Sequence, residues 1–318
     1  MTNDLGDVID ALAAGPLADA VQLDAPIGKL TTYRVGGRAA ALVMLGAPEH
    51  AAALADAVAG RSVELVAIGR GSNLLVSDDG FDGIAVVLGP GFDDIDIARV
   101  ETAPEADGGA LVTCGAAAKL PVVARATVQA GLTGFEWAVG VPGTIGGAVR
   151  MNAGGHGAEM KDSVVDVELL DLRHGRLEVR TNDALAFGYR TSAVADTDLV
   201  LRARLRLAAG DPDAGRAEMA EIVQWRRDNQ PGGQNAGSVF TNPEGDSAGR
   251  LIDAAGAKGL RIGTAAVSDK HANFIQADPD GRAADVRALM LEVQRLVRAT
   301  SGIELHPETH MIGFADGD

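Results

Sequence analysis

The sequence predicts an α+β protein: an N-terminal body of residues 1–210, in two lobes dividing near residue 90, and a smaller C-terminal domain over 211–318. Three observations predict it. Strand-like segments occur in the N-terminal part and helix-period segments in both parts. The chain is 318 residues long and 47% hydrophobic, enough for more than one core. Composition shifts at AAGDPDAGR (208–216), a Gly/Pro/Asp stretch that reads as a linker. No internal repeat is evident.

Residues 49–59 (EHAAALADAVA) have helical character, and VELVAI (63–68) reads as a buried strand ending at Gly69. A glycine-rich turn, GRGSNLLVSDDGFDG, leads into more strand. ALVTCG (110–115) is strand-like, and 119–130 sets Leu120, Val123, Thr127 and Ala130 at helical spacing. VDVELLDL (165–172) and RLEVRT (176–181) flank Arg173-His174-Gly175, which predicts a β-hairpin. LRARLRLA (201–208) alternates: Leu201, Ala203, Leu205 and Leu207 face one way, Arg202, Arg204 and Arg206 the other. Such a basic ladder suits nucleic acid only with interleaved aromatics, and none is present, so a solvated sheet face is expected. Beyond the linker, 217–227 is helical with Met219, Ile222 and Val223 on one face, and 248–255 is helical. Residues 283–300 carry the stripe Val286, Leu289, Val293, Leu296 and Val297, stopped by Gly302.

Bulk chemistry narrows the function. A formal net charge of −16 repels nucleic acid and anionic membranes. The lone cysteine, Cys114, leaves no intrachain disulfide and no cysteine-rich metal site, and no metal is expected. MTNDLGDVIDAL lacks a basic region before an apolar run, and no segment reaches membrane-span length, so a soluble cytoplasmic monomer is expected. Aromatics are only 3% of residues, so the core must be built mainly from Ala, Val, Leu and Ile.

Among the 41 glycines two runs stand out. IGRGSNLLV (68–76) can wrap consecutive backbone N–H groups round a phosphate, yet it lacks the G-x-G-x-x-G order and the acidic ribose partner of a dinucleotide fingerprint. On its own it is more often an ordinary strand-to-turn connection. GFEWAVGVPGTIGGAVRMNAGGHGAE (134–159) lets backbone approach a flat ligand. Its Trp137, Val139, Val141, Ile145, Val149 and Met151 should be buried, which argues for a rigid, backbone-lined cavity over a flexible linker.

The ordered set TTYRVGG (31–37), GRGSNLLV (69–76), GVPGTIGGAVRMNAGGHG (140–157), FGYRTS (187–192), NAGSVFTNP (235–243), AGAKGLRIGTAAVSDKHANFI (255–275) and LHPETHMIGF (305–314) resembles the UDP-N-acetylenolpyruvoylglucosamine reductase (MurB) family. The resemblance implies an FAD-binding fold of the vanillyl-alcohol-oxidase (PCMH) type in two lobes, with a third domain covering the substrate. It implies that NADPH reduces the flavin and that hydride then passes to the enolpyruvyl methylene of UDP-N-acetylglucosamine enolpyruvate, giving UDP-N-acetylmuramate. Hydride addition leaves carbanion character delocalised into a carboxylate, which needs cationic or hydrogen-bonding neighbours and a positioned acid.

By the same resemblance, Arg190 contacts the region where enolate charge develops, Ser238 is the proton donor, and Glu308 is the paired acid, a role that requires it to hold a proton. Without the family match, a salt bridge at a strand end would be the better reading of Arg190. Backbone of Gly69, Gly71, Ser72, Asn73 and Leu74 is expected at the FAD pyrophosphate, with Arg34 on the adenine side. Gly140, Pro142, Gly143, Thr144, Gly146, Gly147 and Asn152 are expected along the flavin and ribityl chain. Arg226, Arg227, Lys258, Lys270 and His271, with Arg261, form an expected phosphate-facing set in a chain with only five lysines, and Asn242 is expected to bond the substrate. Tyr189 either packs beside the sugar or fills the core, and the core is favoured. Asn229 stands where the family commonly has a substrate-facing lysine, His156 where it has a tyrosine and His310 where it has an arginine. The short stretch between Arg190 and Trp225 has no room for the tyrosine-bearing loop of the longer subgroup. Two rivals remain: an oxidase of hydroxy acids or sugars on the same fold, and a non-catalytic flavin or UDP-sugar sensor.

Overall fold

A computed structural model of the chain describes residues 4–99 and 109–315. The chain forms two compact units, one of residues 1–22, 41–69 and 83–226, the other of residues 23–40, 70–82 and 227–318.

The first unit is organised by the strand Asp198–Ala209. It lies between Val164–Asp171 and Ala110–Gly115, pairing antiparallel with both, and Arg176–Thr181 and Ile95–Arg99 complete that run of strands. Leu201, Ala203, Leu205 and Leu207 are all buried, as their alternation requires. Of the three arginines opposite them, two meet acids: Arg204 Nε donates to Asp166 Oδ1 at 2.8 Å and Arg202 pairs with Asp94 at 3.4 Å, while Arg206 is exposed. The predicted hairpin forms, with Asp171 opposite Arg176 and Gly175 at φ 63°. Helix Leu120–Gln129 packs its Leu120, Val123 and Val128 into the same core as Phe135, Ile145 and Leu205. Helices Asp4–Ala14 and Pro48–Val58 contribute Val8, Leu12, Leu54 and Val58 to a second core with Val43, Leu45, Ile84 and Val86.

Three expectations are corrected. The stretch 208–216 is no linker: the strand runs to Ala209 and helix Pro212–Asn229 starts at once, leaving only Gly210 and Asp211 between them. Pro212 suits a first helical position, and Asp211 accepts from the N–H of Asp213 (2.9 Å) at that end. Strand 63–68 shrinks to Leu65–Ala67, which pairs parallel with Ile84–Val86, and of the segment only Ile68 is buried. In the second glycine run Trp137, Val139, Ile145 and Val149 are buried, but Val141 and Met151 only half so.

The second unit packs helix Ala283–Ser301 on a three-stranded sheet of Arg261–Ile262, Ala265–Val267 and Ile275–Ala277. Val286, Leu289, Met290, Val293 and Val297 fill its core with Phe240, Ile252 and Ile275. Gly302 ends the helix at φ 72°, a left-handed cap that glycine adopts without steric cost. At its other end Asp78 accepts from the N–H groups of Ala283 (2.9 Å) and Ala284 (3.0 Å), a favourable place for a carboxylate. The short strands Leu74–Val76 and His310–Ile312 pair in parallel. Among the described residues no helix is long and apolar enough to cross a membrane.

Candidate active site

NAGSVFTNP is shaped by its own residues before anything distant acts on it. Asn235 Oδ1 accepts the Gly237 N–H (3.0 Å), a local side-chain turn, and Gly237 sits at φ 76°. The chain then straightens. Phe240 is fully buried, and its N–H and C=O both bond the Asn273 side chain, at 3.0 Å to Oδ1 and 2.8 Å from Nδ2. Val239 donates to the Asn273 carbonyl (2.9 Å) and accepts from the Glu308 N–H (2.8 Å). Ser238, half-buried, is thus held on a segment anchored on one side by Asn273 and on the other by the backbone of Glu308.

Asn73 ties the first glycine run to the same place. Its Nδ2 donates to the Glu308 carbonyl (3.0 Å), and its own carbonyl accepts from His310 N–H (3.0 Å). Gly71 lies at φ 60° with its carbonyl on Thr32 N–H, and a Cβ there would stand 2.3 Å from the Leu30 carbonyl oxygen. Because a trans peptide points its C=O and N–H in opposite directions, fixing the carbonyls of Gly71 and Asn73 turns the Ser72 and Leu74 N–H groups away from those partners. Two such neighbouring donors fit an anionic oxygen of a pyrophosphate. Arg34 is exposed, in a left-handed turn at φ 56°.

The expected phosphate-facing residues divide. Lys258 pairs with Asp253 (3.6 Å) and its charge acts on His271. Burial pushes the half-buried His271 imidazole below the ordinary histidine range, and Lys258 adds to that against an opposing backbone bond. Asn273 N–H donates to His271 Nδ1 (3.2 Å), so the neutral ring carries its proton on Nε2. Lys270 Nζ donates to the Arg227 carbonyl. Asn242 Oδ1 accepts from Ala248 N–H (3.0 Å), which commits its oxygen to the start of helix Ala248–Ala254. Arg261 is exposed and paired with Asp278 at 2.7 Å.

The other residues belong to the first unit. A Cβ on Gly69 would meet Thr144 Oγ1 at 2.6 Å, so the start of the first glycine run touches the middle of the second. Ile145 and Gly146 N–H groups bond the carbonyls of Ala118 and Ala116, whereas Pro142 and Gly147 are exposed and Gly143 is half-buried. Gly140 lies against Ile222 and Arg226, whose guanidinium burial lowers below the ordinary arginine range. Arg190 sits at φ 57° and is half-buried, donating to the carbonyls of Asn152 (3.4 Å) and Gly154 (3.1 Å). Tyr189 is not a core residue: it is 53% exposed at the tip of a turn, with the Arg190 guanidinium 5.0 Å from its ring centre. His156 packs edge-on against Trp225, centroids 5.3 Å apart. Cys114 takes no part, since burial and nearby Asp94 push its thiol up to about 12.

Asn273, Asp78 and Glu159 were not singled out by sequence reasoning. Each bonds a residue beyond its own helical or strand neighbourhood, and no spacing rule marks such a partner.

Residues 39–180 match the model of an FAD binding domain, and residues 229–312 match that of the UDP-N-acetylenolpyruvoylglucosamine reductase C-terminal domain. The chain is 44% identical over 295 residues to UDP-N-acetylenolpyruvoylglucosamine reductase of Paramagnetospirillum magneticum, covering 92% of each. It is 38% identical over 313 residues to that of Azorhizobium caulinodans, covering 97% of each. The crystal structure of the Thermus caldophilus enzyme superposes with a TM-score of 0.74 at 34% identity, covering 92% of this chain and 98% of that one. The expected α+β, FAD-binding fold is borne out.

Proposed function

The chain belongs to the UDP-N-acetylenolpyruvoylglucosamine reductase family, and from that premise we propose that it reduces UDP-N-acetylglucosamine enolpyruvate to UDP-N-acetylmuramate, a peptidoglycan precursor, with NADPH as reductant. When bound, FAD supplies the hydride that the enolpyruvyl methylene carbon receives. The protein's own task is then to bind an anionic substrate, stabilise the enolate and protonate the adjacent carbon.

Arg190 meets the carboxylate into which the charge delocalises; its fixed fork suits two carboxylate oxygens. Ser238 gives the proton. A serine hydroxyl is a weak acid and donates only to a strongly basic carbon, so Glu308 assists from the neighbouring strand position as acid or donor. Ser72 and Leu74 N–H groups hold the cofactor's pyrophosphate, and Gly143, Thr144 and Gly147 lie along the flavin. Lys258, His271, Lys270, Arg226 and Arg227 face the substrate diphosphate; Asn242 Nδ2, its oxygen already committed, bonds the sugar nucleotide.

One observation carries the reading. The Val239–Glu308 backbone bond and the Asn73–Glu308 bond join the three stretches that carry Ser238, Glu308 and the first glycine run, which supports their acting together. The purified protein is expected to show a flavin absorption band that NADPH bleaches without oxygen and that the enolpyruvyl UDP-sugar restores. Restoration by oxygen alone would make it an oxidase, and a colourless protein that binds no added FAD would sink the proposal.

A further inference from the structure

Arg190 occupies a backbone conformation that few side chains adopt, so something must hold it there. The turn Gly188–Thr191 is closed by two bonds, Gly188 N–H to Thr191 O (3.0 Å) and Thr191 N–H to Gly188 O (3.3 Å). Both Ala186 (φ 43°) and Arg190 (φ 57°) are left-handed non-glycines, a state that persists only where neighbours over-determine it.

Those neighbours converge on Asn152, which is 0% exposed and itself left-handed at φ 40°. Its Nδ2 donates to Gly188 O (2.9 Å) and to Glu159 Oε2 (2.9 Å), and its Oδ1 accepts Lys161 N–H (3.0 Å). A flipped amide would set oxygen against two acceptors and nitrogen against a donor, so the orientation is fixed. With both N–H groups committed, the side chain has no donor left for a cofactor or substrate. It grips the first residue of the turn, while its main-chain carbonyl receives the Arg190 guanidinium. Glu159 is in turn held by Lys161 Nζ and by reciprocal capping bonds with Asp162.

We propose that Asn152, oriented by Glu159, is the positioning residue for Arg190: it sets the turn from which the guanidinium projects and does not itself contact the cofactor. The proposal rests on the reading of Arg190 as the group at the enolate. Arg190 then matters only when substrate takes the hydride, and so does Asn152.

The test is Asn152→Asp, nearly isosteric, which replaces the donors to Gly188 and Glu159 with an oxygen. Flavin content and anaerobic bleaching by NADPH should stay near wild type, while reoxidation by the enolpyruvyl UDP-sugar slows by about 10–100-fold, the cost of misplacing a positioned group. Hydrogen exchange of a peptide covering residues 186–192 should rise. Adding Glu159→Gln restores one donor between the two residues and should recover part of the protection and of the rate. In an Arg190→Ala background, Asn152→Asp should slow reoxidation no further. Wild-type exchange with wild-type reoxidation, or effects of the two substitutions that multiply, would overturn the proposal. If Asn152→Asp does not fold, Glu159→Ala cuts one of the same bonds and should move exchange and reoxidation in the same direction. If the wild-type protein does not reduce the substrate, the functional reading falls, and the exchange result alone decides whether Asn152 sets the turn.

Discussion

Ser238, picked out by the family motif, has no unusual chemistry of its own and depends on what holds it. Asn235 and Gly237 make the turn before it, Phe240 pins the chain after it, and Val239 joins it to Glu308. Ser238→Ala should therefore fold normally, because it removes one half-buried hydroxyl and no backbone bond. Rapid-mixing measurements should find bleaching by NADPH intact and substrate reoxidation slowed about 10²–10⁴-fold, the range for loss of a general acid. If both half-reactions stay fast, the proton comes from elsewhere.

At the scale of elements, glycines of the same backbone sign do different work. Gly302 caps a helix at φ 72° with nothing within 4 Å of a would-be Cβ, so Gly302→Ala meets conformational strain alone. That should cost about 1 kcal/mol. Gly71 adds a collision, since its Cβ would press on the Leu30 carbonyl at 2.3 Å, which belongs to backbone and cannot rotate away. Gly71→Ala should cost about 3 kcal/mol or more and lower FAD retention, because the same turn aims the Ser72 and Leu74 N–H groups. Thermal unfolding of the two variants checks the order; equal shifts would mean that the loop yields to the extra carbon. The sequence made Gly302 legible as a helix stop and Gly71 only as part of a turn, because the Leu30 contact lies 41 positions away.

Across the whole molecule, the mild-acid response of stability should run through His271. Its folded-state proton affinity is lowered from the ordinary 6.5, chiefly by burial, so the folded protein holds fewer protons than the unfolded chain as pH falls past that value. The stability is present above the unfolded value and is lost as pH drops through it, levelling off below the folded value. Protonation also removes the Nδ1 lone pair that accepts from Asn273 N–H, beside the Ser238 segment. Asp246, held near about 2 by the Arg250 guanidinium, and Asp285, lowered by the Thr264 hydroxyl and N–H, lose their contributions only below 3.8 and stay out of this window. Denaturant midpoints at about pH 7.5 and about pH 5.5 should differ less in His271→Gln than in wild type. An unchanged difference would assign the response to other groups.

Much of the architecture could be read along the chain, since its signals are local. The alternation in LRARLRLA, the stripe from Val286 to Val297 and its glycine stop each depend on residues a turn or a pleat apart. The family motifs likewise picked out Arg190, Ser238 and Glu308. Failures came where a local signal was ambiguous: Gly, Pro and Asp at 208–216 suit a linker, but equally a strand end followed by a helix start. An aromatic Tyr189 suits a core until the turn that carries it points outward. Sequence by itself determined most of the strands and helices, because propensity and periodicity act between near neighbours, and its motifs determined the family. Only the tertiary structure decided how those residues are held: Asn73 on Glu308, Asn273 round Phe240, Asp78 on a helix start and Asn152 under Arg190. These are hydrogen bonds whose partners meet only after folding, and no spacing along the chain encodes them.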